Sequence, residues 1–299
     1  LIYMDIKLET FLLYYNTELL FNGIISLLFQ GDHMDGIISM VSLTEDTLNA
    51  KSITVSYKMF GLLLILMFIR ISVYVYFSLN KSIMAYFLCF VLLFSLFLNY
   101  LSKILFFDVL FHRMRLLRKA FKNKYLGVNV IGKERIKHRI ENIKTCLSVY
   151  DYLLQQVENM DLELEIWLFG TVLLYFPKAV LFMRNAMMLI LNKELFSFKT
   201  LWTVLTLLYT ICLGTWPMVL FELTKNEVDI IKDILFKQSL LDTDETLHLE
   251  IQRALQHINL RPCQYQVCRM MPLGVSLPLS FVSLCITYVI VLVQLTPVK

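Results

Sequence analysis

From Leu273 to Leu295 the chain reads LGVSLPLSFVSLCITYVIVLVQL, with no charged residue among them. A helix of about 20 mostly apolar residues crosses the hydrocarbon core of a bilayer, so this stretch predicts a membrane span. One face of it is ordered, with small hydroxyls, then Val291, then Gln294. Ser276, Ser280, Ser283, Thr287, Val291 and Gln294 follow one another at steps of three or four, which places them on one face of an α-helix. Three readings of that face are open. Small residues at this spacing let helices pack closely without any pore. A glutamine near the end of a span can sit among headgroups. Or the stripe faces water along a conduction path, because polar side chains at membrane depth turn toward bundle interiors or cavities. One helix cannot enclose such a path, so the third reading needs symmetry mates.

The remainder of the 299 residues agrees with a membrane setting. Hydrophobic residues make up 58% and charged residues only 17%, and the mean hydropathy is +0.64; a soluble domain of this size carries more charge. Further spans are read at Tyr57–Leu79, Ile83–Leu110, Ile166–Leu191 and Thr200–Phe221. A weaker one at Phe11–Phe29 carries Asn16, Glu18 and Asn22, and is either a polar-lined span or an interfacial helix. The fold class is all-α, a polytopic membrane helical bundle of about six spans with long cytoplasmic helical extensions. Its divisions are membrane helices at 1–111, a basic segment and helix at 112–165, membrane helices at 166–222, a helical linker at 223–272 and the last helix at 273–299.

Loop charge sets the orientation. Eleven lysines and arginines fall between Arg113 and Lys144, so this segment is cytoplasmic. Counting spans from it puts Asn192–Lys199 outside, Glu222–Pro272 inside and Lys299 outside. The expectation is a multi-pass plasma-membrane protein with an extracellular C-terminus, which argues against G-protein coupling through a tail. The basic run Arg113–Lys124 reads as positive-inside charge with lipid headgroup contact. It lacks the interleaved base-stacking aromatics of a nucleic-acid surface, and no nucleic-acid partner is expected.

Both inner segments predict helices. Ile136, Ile140, Ile143, Leu147, Tyr150, Leu154 and Val157 alternate steps of four and three, a narrow apolar seam. With no Pro or Gly after Lys133, this helix is expected to run on into the span at Ile166. Leu247, Ile251, Leu255 and Ile258 form a second stripe, and Lys225–Phe236 a third helical piece. Their apolar faces need partners, either one another within a subunit or the same helices of neighbouring subunits.

Several function classes are excluded. Cys263 and Cys268 have no second pair to complete a zinc site, the five histidines form no HExxH pattern, and the nine glycines make no phosphate loop. No cofactor and no metal site is expected. No paired carboxylates or nucleophile–base set lies in the spans, so the chain is not read as an enzyme. A secondary transporter is a runner-up class; it would show paired Gly- or Pro-broken spans, and no such pairing is seen in the sequence.

Thr287-Tyr288, five apolar residues, then Gln294-Leu295 resembles the signature TY, five hydrophobics, QF that closes the seventh span of insect gustatory receptors. Leu295 stands where Phe is usual. The order of features is also similar: LFHRMRLLRKAF after a long span, an inner helix entering the next span, and a charged linker before the last helix. The resemblance covers about Phe11 to Leu295. It implies seven spans with an intracellular N-terminus, so the first span is expected to be missing and Phe11–Phe29 to be the second. It also implies a tetrameric, ligand-gated, non-selective cation channel, homo- or hetero-meric, opened by a small-molecule tastant, with membrane lipid around it. An odorant-type receptor channel is the other runner-up. In such a channel the last helix lines the pore and the inner helices form a shared anchor. By motif position Val291 and Leu295 match the hydrophobic constriction and Gln294 the polar ring, with Thr287 below.

The resemblance further implies a ligand pocket within each subunit. Candidate linings are Trp202 and Tyr209, two turns apart; Tyr74 and Tyr86, flanking a short outer loop; and Lys178 and Arg184 in the span Ile166–Leu191. Charges at that depth need a partner or a water-filled cavity, although snorkelling and an aromatic interface belt compete as explanations. Arg70 also lies mid-span, and Glu18 is its expected partner. Trp216-Pro217 predicts a kink that would link the pocket to the last helix.

Overall fold

The computed structural model describes residues 17–18, 20–25, 32–48, 61, 64–65, 67–68, 83–126, 133–159, 165–170, 173–174, 176–177, 179–180, 183–184, 198–241, 244–264, 266–267, 271–272, 274 and 276–295. Six helices are drawn at full length: α1 (Asp32–Leu48), α2 (Ile83–Leu126), α3 (Lys133–Asn159), α4 (Phe198–Leu241), α5 (Glu245–Leu260) and α6 (Ser276–Leu295). Helical residues also occur at 17–18, 20–25, 61, 64–65, 67–68, 165–170, 173–174, 176–177, 179–180 and 183–184. A short antiparallel hairpin, β1 (Gln266–Val267) with β2 (Met271–Pro272), joins α5 to α6. The hairpin was not expected from the sequence.

α2 and α4 are each 44 residues long. The composition changes read near Phe111 and Glu222 therefore fall within continuous helices, and the separate piece at Lys225–Phe236 is the far end of α4. At 1.5 Å per residue each helix is roughly 65 Å long, more than a bilayer core needs. α4 also passes through Pro217 without interruption, although proline removes one ladder hydrogen bond there. The expected continuation of α3 into the next span is drawn to Asn159, with helix again from 165; residues 160–164 lie outside the described residues.

α2 and α4 pack along their length. Phe107 and Phe221 meet edge to face at 6.2 Å, and farther along Arg118 Nε pairs with Glu227 at 2.9 Å. α3 lays its seam on α2, α1 and α5. Ile143, Tyr150, Leu154 and Val157 are buried in the main core, and Ile136, Ile140 and Leu147 pack against it. Leu247, Ile251 and Ile258 of α5 are buried there too, with Leu255 beside them. Each fully buried large apolar side chain contributes about 1.5–3 kcal/mol, which is why narrow stripes suffice to dock these helices. Of the two partners open to the seams, the subunit's own helices cover them.

Two members of the basic run do something other than meet headgroups. Arg113 is 2% exposed and its Nη2 lies 3.4 Å from Glu45 of α1; Arg118 holds Glu227. By contrast Arg115, Lys119 and Lys122 are exposed. Higher on α2, Phe87, Phe90, Val91, Phe94 and Leu98 form an exposed apolar stripe. Among the described residues no helix is long and apolar enough to cross a membrane.

Candidate functional site: the outward face of the last helix

α6 docks through one ridge. Cys285 and Val289 are buried with Ala179 and Val180, and Phe176, Met183 and Phe281 pack around them. The Phe176 ring meets Phe281 at 5.9 Å and Tyr288 at 5.4 Å, both edge to face. Nearer the start of the helix, Leu277 packs on the main core. With 3.6 residues per turn, Phe281 and Val289 lie about 40° to either side of Cys285. Ser283 and Thr287 then fall about 160° away, and Ser276 and Gln294 about 180° away. The polar stripe is opposite the docking ridge. Ser276, Ser280, Ser283, Thr287, Val291 and Gln294 are all exposed, bordered by exposed Leu279, Leu284, Ile286 and Ile290. The Thr287 hydroxyl donates to the Ser283 carbonyl at 3.0 Å, which satisfies its proton and leaves its lone pairs outward. Leu295 ends the helix, and its side chain is outside the described residues.

The lower end of α6 is tied to α4. The backbone at Gly274 passes so close to Glu222 that a Cβ there would lie 2.7 Å from the carboxylate. Gly274 also accepts a hydrogen bond from the Leu277 N–H at 3.2 Å, forming the turn that starts the helix. A carboxylate beside the amino end of a helix faces its positive pole. The hairpin before this turn leads back to α5, which a charged cluster fastens to α3. His257 Nε2 faces both Asp151 oxygens at 2.8 and 2.9 Å. Arg261 donates to Asp151 at 3.3 Å and to both Glu158 oxygens at 3.0 Å, and Glu158 holds the guanidinium pKa above its ordinary value. The Tyr150 hydroxyl donates to the Arg261 carbonyl at 2.7 Å; burial raises its pKa. Beside it the Cys263 thiol is buried, and desolvation pushes its pKa up to about 12, so it stays neutral.

The ligand-pocket candidates are less completely placed. Tyr209 is buried in the main core and Arg184 is half-buried. Trp202 and Tyr86 lie within α4 and α2, but their side chains are outside the described residues, as are Lys178, Tyr74 and Arg70 altogether. Glu18, the expected partner of Arg70, accepts a hydrogen bond from the Tyr100 hydroxyl at 2.9 Å; the pairing with Arg70 falls outside the described residues. Among the described residues no group of three or more His, Cys, Asp or Glu could hold a metal ion. Sequence reasoning missed Glu222 with Gly274, and the Asp151–His257–Arg261–Glu158 cluster. Nothing in the spacing of single charges signals pairs more than 50 positions apart.

The described residues define a bundle of long helices whose last helix, α6, carries a polar stripe on its outward face. The profile of the 7tm chemosensory receptor family matches residues 19–297, and the chain belongs to that family. It is accordingly a membrane protein with a chemoreceptor role, in agreement with the resemblance carried by Thr287-Tyr288 and Gln294-Leu295. Among curated proteins no match is found.

Proposed function

We propose that the chain is one subunit of a gustatory receptor that acts as a ligand-gated, non-selective cation channel in the plasma membrane. The observation behind this reading is the placement of the α6 stripe opposite its docking ridge. Hydroxyls and an amide on the outward face would be poorly matched to lipid tails. Symmetry mates presenting the same face would enclose water, with Val291 and Leu295 as the constriction and Gln294 as a polar ring. A hydrophobic ring of this kind gates by dewetting, and small rotations of the helices open it. Four copies, identical or mixed, are the expected assembly, with the C-terminus outside.

Opening would begin at a small tastant held among Trp202, Tyr209, Tyr74, Tyr86, Lys178 and Arg184. It would pass along α4 through Pro217 to Glu222 and Gly274, where α6 begins. The test is electrical. In cells that express only this chain, a panel of sugars and small plant metabolites is applied to excised patches without nucleotide or added G protein. Ligand-evoked cation current supports the reading. Stoichiometric uptake without conductance assigns a carrier instead.

A further inference from the structure

Arg261 is where the chain leaves α5 for the hairpin and α6, and its backbone and side chain are both held. Helix α5 ends at Leu260. Pro262 follows Arg261 and disfavours helical backbone at the residue before it, so the sequence itself places the turn here. The Arg261 N–H donates to the His257 carbonyl at 3.0 Å and closes the last turn of the helix. Its carbonyl accepts from the Tyr150 hydroxyl at 2.7 Å. Its guanidinium spans two carboxylates, Asp151 at 3.3 Å and Glu158 at 3.0 Å. Tyr150, Asp151 and Glu158 all belong to α3.

The two holds differ in kind. The guanidinium is part-exposed, so solvent screens its ion pairs, and its value lies in the planar fork that reaches both carboxylates at once. Tyr150 is 0% exposed, and a buried hydroxyl without an acceptor costs its full desolvation, so the Arg261 carbonyl is kept in place from the inside. Just beyond, Cys263 is buried in the main core and the Gln264 N–H closes a turn on the Pro262 carbonyl at 2.8 Å. Farther on, Gly274 meets Glu222 of α4, and α6 begins. The stretch that feeds α6 therefore runs between a fixed point on α3 and a fixed point on α4.

We propose that Arg261 is a positioning residue for α6: it fixes the entry to the hairpin against α3, so that α3 as well as α4 sets where α6 begins. The candidate pocket residues divide in the same way. Trp202 and Tyr209 lie on α4, whereas Lys178 and Arg184 come after α3 in the chain. Arg261 gives the second group a route to α6 that does not pass through Pro217. Its effect on current rests on the channel reading; its hold on the start of α6 does not.

The test compares the full chain in nanodiscs with Arg261→Lys and Tyr150→Phe. Lysine keeps the charge and both backbone bonds but loses the fork; phenylalanine keeps the buried ring and loses the hydroxyl. Amide exchange is followed by mass spectrometry in peptides that cover Gln264 and Leu277. Each variant should exchange about three- to tenfold faster at both places, while peptides around Phe107 in α2 keep the parent rate. Faster exchange confined to α3 and the end of α5, with the Leu277 peptide at the parent rate, overturns the proposal, because the cluster then only docks α5. Should either variant not fold, Glu158→Gln, which weakens one of the two carboxylate anchors, is read in the same way. In patches, Arg261→Lys should shift the half-maximal ligand concentration at least about threefold; an unshifted curve overturns the route from α3 to gating. A parent without ligand-evoked current, together with faster Leu277 exchange in the variants, removes the channel reading and supports the positioning of α6.

Discussion

Val289 is packed against the helical segment that bears Val180, while Thr287, two residues earlier, faces outward. α6 thus has a dry ridge packed on its own subunit and an opposite, exposed side that carries the hydroxyls. Most of the functional reading follows from that division, because a stripe opposite a docking ridge is free to meet copies of itself.

If Gln294 forms the polar ring, a fixed cation there repels permeant cations. Gln294→Arg should lower cation permeability at least tenfold at matched surface expression, read as whole-cell current. Val291→Ser wets the constriction and should raise current in the absence of ligand. Parent-like conduction by both variants would remove these residues from the pore.

Pro217 lies inside α4, between the candidate pocket residues and Glu222. Pro217→Ala restores a backbone donor to the ladder and stiffens the helix. The expected result is a changed maximal response or half-maximal ligand concentration, with surface labelling unchanged. Identical dose–response curves would separate Pro217 from gating.

Gly170 is occupied in space by the Phe21 ring. Gly170→Val forces that ring aside, an overpacking that costs about 1–3 kcal/mol. Phe21→Ala vacates the space, so the double variant should lose less than the sum of the two single losses. Additive losses in thermal unfolding would show that the two residues do not touch.

Asp244 caps α5, accepting from the Thr246 and Leu247 N–H groups at 3.0 and 3.1 Å. Its carboxyl is held below the ordinary range, first by the Thr246 hydroxyl and then by the Leu247 N–H. A depressed folded-state pKa gives stability that is complete above the unfolded aspartate value of ~3.9. That stability is lost as pH falls through the lowered folded value. Amide exchange at the start of α5 should accelerate in that acid window for the parent. Asp244→Asn, which caps without titrating, should show no such step.

The helical architecture was largely legible in the sequence, since it rests on periodicity. The seam from Ile136 to Val157 and the stripe from Leu247 to Ile258 are buried as their spacing required. The same periodicity could not say whose surface would cover them, because an apolar stripe is equally satisfied by its own chain or by another. Charge pairing was the least legible feature. Arg113 looks like its neighbours Arg115 and Lys119 in the sequence, yet it is buried against Glu45, and only the packing of α1 on α2 decides that. Gly170 gave no local sign either; its reason is Phe21, far away in the chain. The outward stripe of α6 was readable as a stripe, but its relation to Cys285 and Val289 emerged only when the docking ridge was known.

Solvent access along α6 in an open receptor tests the central claim most directly. Single cysteines at Thr287 and Ser283, and at Val289 as a buried control, are exposed to a charged methanethiosulfonate reagent during ligand-evoked current. A shared aqueous path predicts rapid, ligand-dependent block at Thr287 and Ser283 with the Val289 position silent. Full current at the first two positions, after labelling in detergent has shown their thiols to be free, would contradict it.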